Sequence, residues 1–280
     1  MQPRLIAVDI DGTLLDSGHQ VPAENAQAVC AAVAAGIEVA LVTGRRYHFA
    51  LPIAEQIPCD LTMILNNGAL VKSKSGQPLV SHLLAARVAR QVLEATREYR
   101  PCAAVMFDRP RENQVLFERL IWDDPIRKGY LERNREYIGE CDPLESCLSE
   151  DPIQVMFSGA VSTMGEVETL LRGLPFASQF SLAITAYPAR NFSLVDVLVP
   201  GCSKGAALAE WAARRRLKRS EVMAIGDNLN DLEMLEFAGL PVVMGNSVPE
   251  LKRDGWRVTL SNDACGVAAA IREFALNGTG

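Results

Sequence analysis

Short apolar runs recur in the first part of the chain, and each breaks off into polar residues. Residues 5–8 lead into Asp9-Ile10-Asp11-Gly12-Thr13, residues 37–42 into Thr43-Gly44-Arg45-Arg46, and residues 61–65 into Asn66-Asn67-Gly68-Ala69. Runs of this length bounded by turn residues predict buried strands. Helical segments are predicted between them. One covers residues 23–35 after Val21-Pro22, with Gly36 as its stop. Another follows Arg46 and runs to about Ile57, and Pro52 inside it predicts a kink or a boundary. The pattern returns near the end of the chain, with helices at 204–216, 231–238 and 266–274 and strands at 222–225, 240–244 and 258–260. Strands alternating with helices imply βαβ units and a parallel sheet.

Between about His82 and Pro200 the pattern changes. Strands are predicted at 102–107, 114–117, 153–157, 181–185 and 192–197, and helices at 85–99 and 162–171. Residues 122–150, punctuated by aspartate and proline, are expected to form a polar connector. The fold class is therefore α/β: a doubly wound parallel-sheet core, residues 1–83 and 199–280, with an inserted α+β domain at 84–198.

Composition narrows the function classes. The chain has 280 residues, 49% of them hydrophobic, with a net charge of −6 and only short basic clusters. That argues against nucleic acid and for a small-molecule partner. No apolar run reaches membrane-spanning length and the start shows no leader pattern, so cytoplasmic residence and no membrane partner are expected. The seven cysteines lack C-x-x-C spacing and are read as reduced thiols.

The chemistry gathers at strand ends. Alternation along a strand puts Asp9 and Asp11 on one side and Ile10 on the other, and Gly12 permits a sharp turn. Paired carboxylates need a compensating cation or a shared proton, so the pair is either a Mg²⁺ site or a nucleophile with its acid/base partner. In a parallel sheet, ligands bind outside the carboxyl ends of the strands. Thr43-Gly44-Arg45, Asn66-Asn67-Gly68 and Gly226-Asp227-Asn228 are expected at that edge, together with Lys204 at a helix start. Carboxylates, a hydroxyl, an amide, a lysine and turn N–H groups suit a phosphate monoester held against Mg²⁺.

These segments resemble, in order, the four motifs of the haloacid dehalogenase-like phosphohydrolases, in their Cof-like branch with a large α/β (type IIB) cap. The carriers are Asp9-Ile10-Asp11-Gly12-Thr13, Val42-Thr43-Gly44-Arg45, Ser203-Lys204-Gly205 and Gly226-Asp227-Asn228-Leu229-Asn230-Asp231. Asn67-Gly68-Ala69, Met234-Leu235-Glu236, Val243-Met244-Gly245-Asn246 and Gly266-Val267-Ala268 extend the match. The resemblance implies a Rossmann-like core and a phosphatase acting through an aspartyl-phosphate. It makes Asp9 the nucleophile and Asp11 the general acid/base. The implied Mg²⁺ ligands are the carboxylates of Asp9 and Asp227 and the carbonyl of Asp11. Lys204, Thr43, Asn230 and the amides of Ile10 and Gly44 would bind phosphate. Asp231 is expected to orient Lys204 or the Asp227 loop, while Arg45 and Asn67 are supporting candidates.

The expected substrate is a small phosphorylated metabolite, a sugar phosphate or a nucleotide-related compound. A phosphosugar mutase of the same fold is the nearest alternative, and a phospho-acceptor signalling module is the alternative of another class. The resemblance assigns leaving-group choice to the inserted domain, where Arg190 and Asn191 are candidates. His19, His48 and His82 lie outside the motifs.

Overall fold

Leu5–Asp9 forms β1, a strand buried along its whole length. In chain order there follow α1 (Ala23–Ala34), β2 (Glu38–Val42), α2 (Tyr47–Ala54), β3 (Thr62–Leu65), β4 (Leu70–Ser73) and β5 (Pro78–Ser81). The middle of the chain supplies α3 (Ala86–Ala95), β6 (Ala103–Met106), β7 (Val115–Phe117), α4 (Lys128–Arg133), β8 (Ile138–Glu140), β9 (Gln154–Gly159), α5 (Val161–Arg172), β10 (Ser181–Tyr187) and β11 (Phe192–Leu198). The last part contains α6 (Lys204–Arg214), β12 (Val222–Gly226), α7 (Leu232–Phe237), β13 (Leu240–Val243), β14 (Arg257–Val258) and α8 (Gly266–Ile271). The structure, a computed structural model, describes residues 2–124, 127–187 and 190–276. They divide into two units, one built from residues up to Ser81 and from Ser203 onward, the other from His82–Cys202.

The first unit is built on an eight-stranded sheet of order β14-β13-β12-β1-β2-β3-β4-β5. From β14 to β3 all neighbours are parallel. β1, β2, β3 and β12 are buried on both faces, which is why they read as continuous apolar runs, whereas the edge strand β14 is exposed. Leu5, Ala7 and Ala40 pack with Leu208 and Trp211 of α6 and with Met234 and Leu235 of α7. Ile6, Val8, Val39 and Leu41 are equally buried on the opposite face, the side of α1 and α8. β1 stands where the strand order reverses, with β2 and β3 on one flank and β12 to β14 on the other. A crevice at the carboxyl ends is the geometric consequence.

The antiparallel pair β4 and β5 lies outside the parallel prediction. It turns at Gly76, whose φ of +88° glycine adopts without a Cβ penalty. Helix α2 ends at Ala54 rather than near Ile57, two residues beyond Pro52. Proline withholds one backbone hydrogen bond and crowds the preceding turn.

The second unit has a six-stranded sheet of order β10-β11-β9-β6-β7-β8, antiparallel except for β7 with β8. Val88 and Val92 of α3 and Met164 and Val167 of α5 pack on Val105, Val155, Phe157, Val195 and Val197, giving this unit its own core. The stretch expected as a polar connector is structured within its described residues. It contains α4 and the edge strand β8, and buries Leu131, Leu144 and Leu148. Those few apolar residues are held by tertiary partners that local periodicity does not reveal. No described helix is long and apolar enough to cross a membrane.

Candidate active site

Register brings the first acidic group into place. Val8 stands opposite Ile225 of β12, and Asp9 opposite Val42 of β2. The strand ends of β1, β2 and β12 therefore open at one level, with Asp9 between the Thr43 and Asp227 loops. β1 stops at Asp9 instead of continuing its alternation through Asp11. Asp11 is still extended, at φ −85° and ψ 115°, and Gly12 then turns at φ +82°. A Cβ on Gly12 would lie 2.4 Å from Asp227 Oδ2, so only glycine lets the Asp227 carboxylate lie against this turn.

Lys204 is the first residue of α6, whose N-cap Ser203 accepts a bond from the Ala206 amide. Its side chain runs inward until it is 2% exposed. Nζ donates to Asp9 Oδ1 at 2.6 Å and to Asp231 Oδ1 at 2.6 Å. The other oxygen of the fully buried Asp231 accepts from the amides of Asp227 at 3.0 Å and Asn228 at 3.1 Å. One carboxylate thus orients both Lys204 and the Asp227 loop. Asp227 Oδ1 accepts from Thr13 Oγ1 at 2.7 Å, a contact across the length of the chain. Short sequence motifs give no signal for a pairing this distant.

Carboxyl oxygens of Asp9, Asp227 and Asp231 lie within 4.8 Å of one another. The Lys204 ammonium bonds two of the three, Asp9 and Asp231. Burial, followed by repulsion from Asp231, holds Asp9 well above the usual carboxylate range despite the Lys204 contact. Asp227 is pushed up to about 7 by burial and again by Asp231. Burial opposes the charge on Lys204, but Asp231 and Asp9 outweigh it and raise its pKa. Surplus negative charge on hard oxygen donors is what a divalent cation compensates. Asp231 spends both oxygens on Lys204 and backbone amides, so Asp9 and Asp227 are the donors that fit a cation.

Asp11 takes a separate partner. Arg45 grips it through two bonds, Nε to Oδ2 at 2.7 Å and Nη2 to Oδ1 at 2.6 Å. This bidentate pairing orients the carboxylate more firmly than a point charge would. The buried Thr43 accepts the Arg45 amide on its hydroxyl at 3.1 Å. Gly44 lies against the Asn67 carboxamide, since a Cβ there would meet Asn67 Oδ1 at 3.0 Å. Asn67 sits in the left-handed region at φ +54°. Ile10 is fully buried behind the loop, and Asn230 is half-buried in the short turn before α7. In the second unit, Arg190 is exposed, while Asn191 Oδ1 accepts the first amide of α5, from Val161, at 3.3 Å. His19 is exposed in a turn, and the His48 ring packs edge-on against Tyr47.

The chain is 32% identical over 249 residues to an HMP-PP phosphatase of Serratia proteamaculans (strain 568), covering 89% of this chain and 86% of the relative. It is 30% identical to the phosphatase YwpJ of Bacillus subtilis (strain 168), covering 97% of this chain and 99% of that one. Its fold matches a haloalkanoate-superfamily phosphatase structure from Bacteroides thetaiotaomicron with a TM-score of 0.78 at 26% identity, covering 98% and 95% of the two chains. Residues 6–271 match the haloacid dehalogenase-like hydrolase family, and the chain belongs to it.

Proposed function

We propose that the chain is a Mg²⁺-dependent phosphatase that hydrolyses a small phosphorylated metabolite, a sugar phosphate or nucleotide-related compound, through an aspartyl-phosphate on Asp9. The observation that carries this reading is the sharing of Lys204 Nζ between Asp9 and Asp231, with Asp227 beside them at the crevice edge. Mg²⁺ held by the carboxylates of Asp9 and Asp227 and the carbonyl of Asp11 would supply the positive charge that lets a phosphate dianion approach.

Asp9 attacks phosphorus through a carboxylate oxygen, and the leaving alkoxide departs with a proton from Asp11. Asp11 then takes a proton from the water that attacks the phosphoenzyme, returning Asp9 to its carboxylate. In the arrangement described, Arg45 bonds both Asp11 oxygens and favours the carboxylate form, so releasing one of these bonds eases proton carriage by Asp11. Asp231 keeps Lys204 aimed at Asp9, leaving its ammonium available to the phosphoryl oxygens. The hydroxyl of Thr43, the side chain of Asn230 and the amides of Ile10 and Gly44 complete the anion cradle.

The test is turnover of p-nitrophenyl phosphate with and without Mg²⁺, followed by a panel of sugar phosphates, nucleotides and HMP-PP. Turnover should require Mg²⁺, and Asp9→Asn should lower kcat by about a thousandfold or more with its circular dichroism unchanged. A folded Asp9→Asn protein turning over near the native rate would refute the assignment.

A further inference from the structure

The loops at residues 9–12 and 226–231 carry the acidic oxygens but come from opposite ends of the chain. A third segment, residues 245–248, touches both. Asn246 Nδ2 donates to the carbonyl of Gly12 at 2.8 Å, and the Val248 amide donates to the carbonyl of Asp227 at 3.1 Å. The far side of the Asn246 carboxamide, Oδ1, accepts the Asn262 amide at 2.9 Å. That bond turns the NH₂ group toward Gly12.

The segment is itself well anchored. Met244 N donates to Gly226 O at 3.0 Å and Gly245 N to Leu260 O at 3.0 Å. A Cβ on Gly245 would lie 2.9 Å from Ser261 N, so the segment runs close against the neighbouring backbone. Asn246 is exposed and carries no core packing.

We infer that residues 245–248 form a strap that sets the spacing of the two cation-binding loops, with Asn246 as a positioning residue for the metal. The inference rests on the phosphatase reading. Two donors only two residues apart clamp one carbonyl on each loop, so neither loop shifts without breaking a strap bond or moving the other. Capping Gly12 O with an N–H also makes it a weaker competing oxygen donor beside the Asp11 carbonyl. The Asn246 side-chain bonds run to Gly12 and Asn262, and Asn246 acts through the loops it holds. Loss of a hydrogen bond that orients metal ligands typically weakens metal binding 10–100-fold.

The experiment titrates Mn²⁺ into the full chain and reads free Mn²⁺ by electron paramagnetic resonance. It compares wild type, Asn246→Ala, Asp227→Asn and Asn25→Ala. Asn25 donates to Leu14 O and accepts from Ala268 N, bracing the same loop away from the acidic oxygens. Asn246→Ala should raise the Mn²⁺ Kd about 10–100-fold, and saturating Mg²⁺ should restore its kcat. Its metal-free melting temperature should stay within about 4 °C of wild type. Asn25→Ala should lose stability and keep its Kd within about twofold of wild type.

A wild-type Kd for Asn246→Ala, alongside lost binding in Asp227→Asn, would overturn the strap and leave the phosphatase reading standing. Equal weakening in Asn25→Ala would also overturn it, because general loosening would then suffice. Absence of Mn²⁺ binding by wild type would overturn both.

Discussion

Asp227 ties the charge of the crevice to the stability of the whole unit. Its pKa stands at about 7, against 3.8 for an ordinary aspartate, because burial and then Asp231 disfavour the anion. Between those values the folded metal-free protein holds a proton that the unfolded chain releases. A raised folded-state pKa contributes stability that is complete below about 4 and lost as pH climbs through about 7. With chelator present, the melting temperature of wild type relative to Asp227→Asn should therefore fall by several degrees between about pH 5 and 7.5. Mg²⁺ at the upper pH should recover it by replacing the lost proton with a cation. Fluorimetric melts check this, and a wild-type-minus-variant difference that is flat with pH would exclude it. At this scale Asp9, Asp11, Lys204 and Asp227 were legible from residue type and position. Asp231 as the partner of Lys204 was legible too, but Arg45 on Asp11 and Thr13 on Asp227 were not, because they depend on where loops meet.

Helices α6 and α7 show how an element delivers a residue to the crevice. Gly205, next to Lys204, packs so closely on α7 that a Cβ would lie 2.5 Å from Glu233 Cβ and 2.6 Å from its backbone carbon. Ser203 Oγ also bonds the Glu233 carboxylate, fixing the start of α6 against α7. Alanine at 205 gains helix propensity of up to about 1 kcal/mol, but overpacking against backbone costs about 1–3 kcal/mol. The packing term is the larger, so Gly205→Ala should lower the urea midpoint and also kcat/KM, since it displaces Lys204. An unchanged or higher midpoint would show that the two helices have room to separate. Boundaries were less legible than elements. The predicted helix at 231–238 shrinks to Leu232–Phe237, because Asp231 closes the short turn that precedes it and the backbone is already extended at Ala238, ψ 142°. The β4–β5 hairpin went unread, since its strands are four residues each and Pro78 opens the second.

The two units each bury a separate apolar cluster, one around Leu5, Leu208 and Leu235, the other around Val105, Phe157 and Val195. A continuous segment with its own core is expected to fold alone. Residues 82–202 expressed alone should unfold in one cooperative urea transition and show no Mg²⁺-dependent turnover of p-nitrophenyl phosphate, because every acidic donor named above lies outside them. A molten circular dichroism spectrum, or measurable turnover, would contradict this. The alternation of strand and helix at both ends of the chain, broken in the middle, made the α/β class readable. The helix and edge strand between residues 122 and 150 were hidden by their polar composition.

Apolar runs ending in Asp, Thr, Asn and Gly were enough to place the strands, their polar ends and the acidic pair, because burial on both faces leaves a period-free run and a ligand edge leaves polar punctuation. Which oxygen meets which cation depended on the fold. Strand register and loop contacts span separations such as that between Thr13 and Asp227, or between Asn246 and Gly12. Such pairings arise from the packing of whole elements, and no local pattern of residues encodes them.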